Sequence, residues 1–224
     1  WTQTSGEAKA LSYQAFNIAR EKLDRDLRKK SSKKRAVVVD VDETIVDNSP
    51  FQAEGILNNT SYPTGWDEWI KRADARAMPG AIEFLRYAAK RGVEVFYITN
   101  RKIKGFEATY QNLSKLGAPV KRANLLLRDR EKSKGPRRKS VLKNHRIVLF
   151  IGDNLGDFSD LFEGKALPDR NKTVELMQSE FGGRFIVLPN AMYGDWEGAV
   201  YDGNFRLMPE EKRKVRHQNL RAIR

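Results

Sequence analysis

The chain has 224 residues, contains no cysteine and only two histidines, and carries a formal net charge of +13 from 42 Lys+Arg against 29 Asp+Glu. That length allows one α/β domain with an insertion. The missing cysteines exclude a disulfide framework and thiolate chemistry, and the two histidines make a His-rich zinc site a poor fit. No stretch approaches the ~20 apolar residues of a membrane-spanning helix.

Residues 7–29 predict an amphipathic helix, with Leu11, Ala15, Ile18 or Ala19, Leu23 and Leu27 at helical spacing. The charged run KKSSKKR breaks it. Residues 36–41 predict a fully buried strand, because Val37, Val38, Val39 and Val41 are β-branched and apolar on both faces. Residues 48–78 are rich in turn formers and contain Trp66 and Trp69, which predicts an inserted cap with a short helix near 66–76. Pro79 and Gly92 then bracket a helix. Strands are expected at 93–101, 124–128, 145–154 and 184–190. Helices are expected at 106–116, from about Pro136, and at 169–181. The segment AMYGDWEGAVYDGNF reads as irregular, ahead of a basic helical tail.

This alternation predicts a mostly parallel sheet with helices on both faces, plus the N-terminal helix and the cap. Such sheets bind ligands beyond the carboxyl ends of their strands. Asp40, Thr99, Arg128 and Asp153 all fall at those ends. Asp40 and Asp42 stand at i and i+2, where extended side chains point the same way. GDNLGDF adds Asp153 and Asp157 after a second strand. Two strands ending in aspartate pairs, in a chain so poor in His and Cys, favour a Mg²⁺ site with room left for a phosphate. Lys132, Lys134, Arg137 and Arg138 supply cations in the loop REKSKGPRRK, any one of which could reach that phosphate.

The four segments DVDET, ITN, SKGPRR and GDNLGDF resemble the motifs of the haloacid dehalogenase (HAD) superfamily of phosphohydrolases. With DETIVDNSP, ITNRK and LPNAMYGDWEG, the whole chain resembles the bacterial class C nonspecific acid phosphatases, the outer-membrane lipoprotein acid phosphatases. It departs from them in the basic tail and the cationic loop.

The resemblance implies a HAD-like Rossmannoid sheet and a single phosphatase domain over residues 1–224, with the cap at about 48–78. It implies Asp40 as nucleophile and Asp42 as general acid and then general base. Mg²⁺ would be held by the Asp40 carboxylate, the Asp42 backbone carbonyl and Asp153, with Asp157 holding a metal-bound water or orienting the site. Thr99, with Asn100 beside it, would bind phosphoryl oxygens. Lys134 is the expected phosphate lysine and Lys132 the second choice. Trp66 and Tyr193 would stack the base of a 5′-nucleotide or related phosphate ester, in mildly acidic conditions.

It also implies a periplasmic or cell-surface location, with any lipid anchor outside this chain, and it leaves oligomerisation open. Two other readings compete. A receiver-type phosphoacceptor switch shares the acids, Thr, Lys and Mg²⁺, but has no use for Asp42 or a cap. Nucleic-acid binding rests on net charge alone.

Overall fold

The computed structural model describes residues 1–223. The strands β1 (Lys34–Val39), β4 (Glu94–Lys102), β5 (Leu125–Arg128), β6 (His145–Gly152) and β7 (Phe185–Val187) form one five-stranded sheet in the order β5-β4-β1-β6-β7. Every pairing in it is parallel. β1 and β6 hold the middle, and Val37, Val39, Leu149 and Ile151 are almost completely buried. That explains their unbroken apolar runs, since both faces of a parallel sheet are covered.

One face packs against α1 (Gly6–Leu27) and α4 (Ala81–Lys90) through Phe16, Ala19, Leu23, Phe84, Leu85 and Ala88. The other face carries Ala36, Val38, Phe150, Phe158 and Phe185. α5 (Phe106–Lys115), α6 (Gly135–Asn144) and α7 (Leu167–Leu176) link successive strands.

Some expectations shift. In α1 the buried face runs through Ser12, Ala15, Phe16, Ala19 and Leu23, whereas Leu11 is exposed. The helix turns so that Ser12 Oγ can donate to the Pro79 carbonyl at 2.8 Å. Pro79 is not the first residue of α4. Gly80 intervenes at φ +82, and a Cβ there would press on Tyr13 and Phe16 at 3.2 and 3.4 Å. The glycine therefore lets α1 approach the start of α4.

The cap holds more regular structure than its turn-rich composition suggests. It comprises β2 (Val46–Asp47), α2 (Ser49–Leu57), α3 (Trp66–Arg72) and β3 (Arg76–Ala77), with β2 and β3 paired antiparallel. α3 stops at Arg72, four residues short of expectation, because Ala73 enters the left-handed region at φ +49. The supposedly irregular late segment contains α8 (Asp195–Val200), and the tail forms α9 (Pro209–Gln218). No helix among the described residues is long and apolar enough to cross a membrane.

Candidate active site

β1 ends at Val39, so Asp40 is the first residue beyond the strand, with its N–H still bonded to the Ile151 carbonyl at 2.9 Å. β6 ends one residue before Asp153. Adjacent parallel strands thus deliver the two aspartates side by side. Asp157 joins them from a helical turn at Leu155–Asp157, where its carboxylate accepts the Asn154 N–H at 2.9 Å. Gly152 is required for this close approach, because a Cβ there would overlap the Asp157 carboxylate. One oxygen each from Asp40, Asp153 and Asp157 lies within 4.8 Å of the others.

Lys134 enters this cluster from the residue before α6. Its Nζ donates to Asp40 Oδ1 at 2.5 Å and to Asp157 Oδ1 at 2.6 Å, and the side chain is buried. Lys132 points elsewhere, 3.6 Å from Asp195 with its side chain exposed. Between the two candidates, it is Lys134 that reaches the acids.

The neighbouring arginines bind mostly backbone carbonyls, with Asn100 and Asp160 as side-chain partners. Arg137 donates to the Thr99 carbonyl and to Asn100 Oδ1, both at 2.6 Å, and to the Ser133 carbonyl at 3.2 Å. Arg138 donates to the Gly156 carbonyl at 2.6 Å and the Asp157 carbonyl at 3.0 Å. Arg128 ends β5 and donates no hydrogen bond to the carboxylates among the described residues.

Thr99 is not at the end of its strand, because β4 continues to Lys102. The pairing of β4 with β5 is interrupted between Ile98 and Lys102, and Thr99 and Asn100 sit in that opening. Thr99 Oγ1 accepts the Arg101 N–H at 3.1 Å and lies 3.4 Å from Asp42 Oδ2.

Asp42 also departs from the extended i, i+2 picture. The chain turns after β1, with Ile45 and Val46 N–H groups both bonded to the Val41 carbonyl and Glu43 at φ +51. The Asp42 carboxylate is turned towards Arg101, whose Nη2 is 2.8 Å from Oδ1. It is not one of the three clustered carboxylates.

Four participants were given no role by sequence reasoning: Asn190, Arg101, Asn48 and Glu43. Asn190 Nδ2 donates to Asp153 Oδ2 at 2.8 Å, and Thr44 Oγ1 lies 3.4 Å from Asp153 Oδ1. Asn48 lies against Asp42 and Glu43, and Glu43 also accepts a hydrogen bond from the Tyr193 hydroxyl. Their shared signal is position: Arg101 lies near the end of β4 and Asn190 follows β7, while Asn48 and Glu43 flank the aspartate turn. Trp66 packs edge-on against Phe51 and Tyr62, with centroid separations of 5.0 and 5.9 Å. The Arg101 guanidinium stands 5.8 Å from its ring centre.

The electrostatics are severe. Burial pushes the Asp40 carboxyl up to about 7, with Asp157 and Asp42 adding to the rise and Lys134 opposing it. Burial likewise raises Asp153 well above the usual carboxylate range, reinforced by Asp157 and Asp40 and countered by Asn190 and Lys134. Lys134 titrates above an ordinary lysine; burial works against its charge, but Asp157 and Asp40 outweigh it.

One ammonium cannot balance three buried carboxylates. A divalent cation fits both the charge deficit and the all-oxygen donor set. The resulting site pairs clustered carboxylates with a buried lysine, a Thr hydroxyl and an opened strand edge. It is suited to holding a metal ion and a tetrahedral oxyanion together.

Such a site at the carboxyl edge of this sheet defines a HAD-type hydrolase. The chain belongs to the HAD superfamily, subfamily IIIB, the acid phosphatase family, whose model matches residues 1–196. It is similar to the class C acid phosphatase from Bacillus anthracis, in a crystal structure with tungstate bound and in another of the same enzyme. Each superposes with a TM-score of 0.98 at 49% identity, covering all of this chain and 95% of theirs. A Stem 31 kDa glycoprotein of Glycine max is 24% identical over 199 residues, which span 85% of this chain and 69% of that protein. The family decides between a phosphatase and a receiver-type switch in favour of the phosphatase.

Proposed function

We propose that this acid phosphatase hydrolyses small phosphomonoesters, 5′-nucleotides among them, through an aspartyl-phosphate on Asp40 with Mg²⁺ as its cofactor. The observation that carries the reading is the buried cluster of Asp40, Asp153 and Asp157 around Lys134. Asp40, Asp153 and the backbone of Asp42 would hold the metal, with Asp157 orienting the set. When bound, the metal would neutralise charge on the carboxylates and on the transferring phosphoryl group.

The chain's own groups carry the remaining steps. Asp40 attacks phosphorus, and the bond from phosphorus to the ester oxygen breaks. Asp42 gives its proton to the departing oxygen, then takes one from the water that releases phosphate. Lys134 compensates the phosphoryl charge, favours the ionised form of Asp40 and aims it. The Thr99 hydroxyl, beside Asn100, is available to the phosphoryl oxygens. The tungstate in the Bacillus anthracis relative supports this assignment, since tungstate is an oxyanion of phosphate's shape.

Trp66 and Tyr193 are proposed to flank the leaving group. Each is joined to the surroundings of Asp42 by one partner, Trp66 through Arg101 and Tyr193 through Glu43. Stacking on such rings tolerates many bases. A periplasmic or cell-surface location remains part of this proposal.

Assays of para-nitrophenyl phosphate and AMP with and without Mg²⁺ test the reading. Turnover is expected to need the metal and to vanish in Asp40→Asn. Turnover that survives the substitution would overturn the mechanism.

A further inference from the structure

Asp42 is held in an unusual way for a residue that must carry a proton. Its Oδ1 faces three N–H donors: Arg101 Nε at 2.9 Å, Arg101 Nη2 at 2.8 Å and Asn48 Nδ2 at 2.9 Å. An oxygen so occupied has no lone pair left for a proton. Oδ2 has one neighbour among the described residues, Thr99 Oγ1 at 3.4 Å, and the Asp42 side chain retains 17% of its exposure.

The donors are themselves fixed. Arg101 is 3% exposed, and its Nη1 donates to Thr109 Oγ1 at 3.2 Å. Asn48 is completely buried. Its Oδ1 accepts the Trp69 indole N–H at 2.8 Å, and its Nδ2 is shared with Glu43 at 3.1 Å. An indole nitrogen can only donate, so Trp69, helped by Arg101 Nη2 at 3.4 Å from the same oxygen, holds the amide with Nδ2 facing Asp42. Trp69 lies on α3, in the cap.

From this geometry we propose that Arg101, Asn48 and Trp69 form a clamp that aims the proton-carrying Oδ2 of Asp42 at the ester oxygen. The seating of the cap thereby sets the proton-transfer step. The clamp members are positioning residues: Arg101 and Asn48 are buried behind Asp42, Trp69 is half-buried behind Asn48, and all three act through Asp42. This extends the role proposed above for Asp42 and rests on it.

The discriminating property is the leaving group. An alkoxide needs the proton, whereas 2,4-dinitrophenolate departs without one. The value of kcat/KM covers steps up to formation of the aspartyl-phosphate, so it isolates the acid step from later hydrolysis.

The experiment compares ethyl phosphate with 2,4-dinitrophenyl phosphate in the Mg²⁺-loaded wild type, Arg101→Lys, Trp69→Phe and Asp42→Asn. Arg101→Lys keeps the charge and loses the forked geometry. Trp69→Phe removes the indole N–H and keeps a ring. Asp42→Asn is expected to lower ethyl phosphate kcat/KM by about 10²–10⁴-fold and the activated ester far less. Arg101→Lys is expected to cost ethyl phosphate about tenfold more than dinitrophenyl phosphate, and Trp69→Phe about threefold more.

Equal losses on both esters, or no loss on either, in folded Arg101→Lys and Trp69→Phe would overturn the clamp. If Arg101→Lys does not fold, Trp69→Phe decides alone. Equal losses in Asp42→Asn itself would instead overturn the acid role of Asp42, so the two failures are distinguishable.

Discussion

Lys134 and Lys132 lie two residues apart in the same basic loop, yet they have opposite fates. Lys134 is buried between Asp40 and Asp157, while Lys132 is exposed beside Asp195. Replacing Lys134 with Ala leaves buried carboxylates without their ammonium and removes the contact proposed for the phosphoryl group. Its kcat/KM for AMP is expected to fall by about 10²-fold or more. Lys132→Ala is expected to stay within about threefold of wild type, since exposed pairs contribute little. Steady-state kinetics of the two variants check this, and equal losses would refute the assignment. Strand pattern and spacing were enough to expect Asp40, Asp42, Asp153 and Asp157 at one edge, and the structure brings Asp40, Asp153 and Asp157 together there. The sequence could not show where Asp42 turns. That depends on Arg101 and Asn48, which come from β4 and the entry to the cap and meet through tertiary packing. In a single sequence, Arg101 reads like any other cation in a chain of 42.

At the scale of elements, the segment from Asp129 to Ser133 has no regular structure, and Arg137 on α6 ties it down. Its guanidinium bridges the carbonyls of Lys132 and Ser133 to the Thr99 carbonyl and Asn100. One side chain thereby holds the loop that carries Lys134 against the opened edge of β4. Arg137→Ala is expected to speed amide exchange over residues 129–134 and to lower kcat/KM for AMP by about tenfold, as positioning losses do. Hydrogen-exchange mass spectrometry and kinetics measure both. Unchanged exchange would show that the loop holds itself.

The strands were legible because β1 and β6 are apolar on both faces. The cap was legible as an insertion but not as a hairpin with two helices. Its strands are two residues each, and α2 exposes Ile56 and Leu57, so neither periodicity emerges. For the cap, Trp66→Ala is expected to raise KM for AMP several-fold while leaving KM for ethyl phosphate nearly unchanged. Equal rises would remove the stacking role.

For the whole molecule, the +13 net charge suggested nucleic acid as one candidate partner, but the chemistry sits in a buried patch of negative charge. That patch links metal, pH and stability. Burial raises the folded-state Asp40 pKa from 3.8 to about 7, so the unfolded chain gives up its proton first. This group's contribution to stability is therefore present below about pH 4 and lost as pH rises through about 7. The raised Asp153 acts in the same direction. A bound dication reverses the penalty, because it binds the ionised carboxylates of the folded state. Mg²⁺ is expected to raise Tm by several degrees more at pH 8 than at pH 5. A calorimetric shift independent of pH would contradict the buried-carboxylate account.

The central claim is that Asp40 takes the phosphoryl group before water does. It is tested most directly by the stereochemistry of hydrolysis at phosphorus, using a phosphorothioate ester made chiral with two oxygen isotopes and hydrolysed in water of the third, so that the released thiophosphate is chiral. Two in-line displacements, first by Asp40 and then by water, predict retention of configuration. Inversion would mean that water attacks the ester directly, and it would contradict the account.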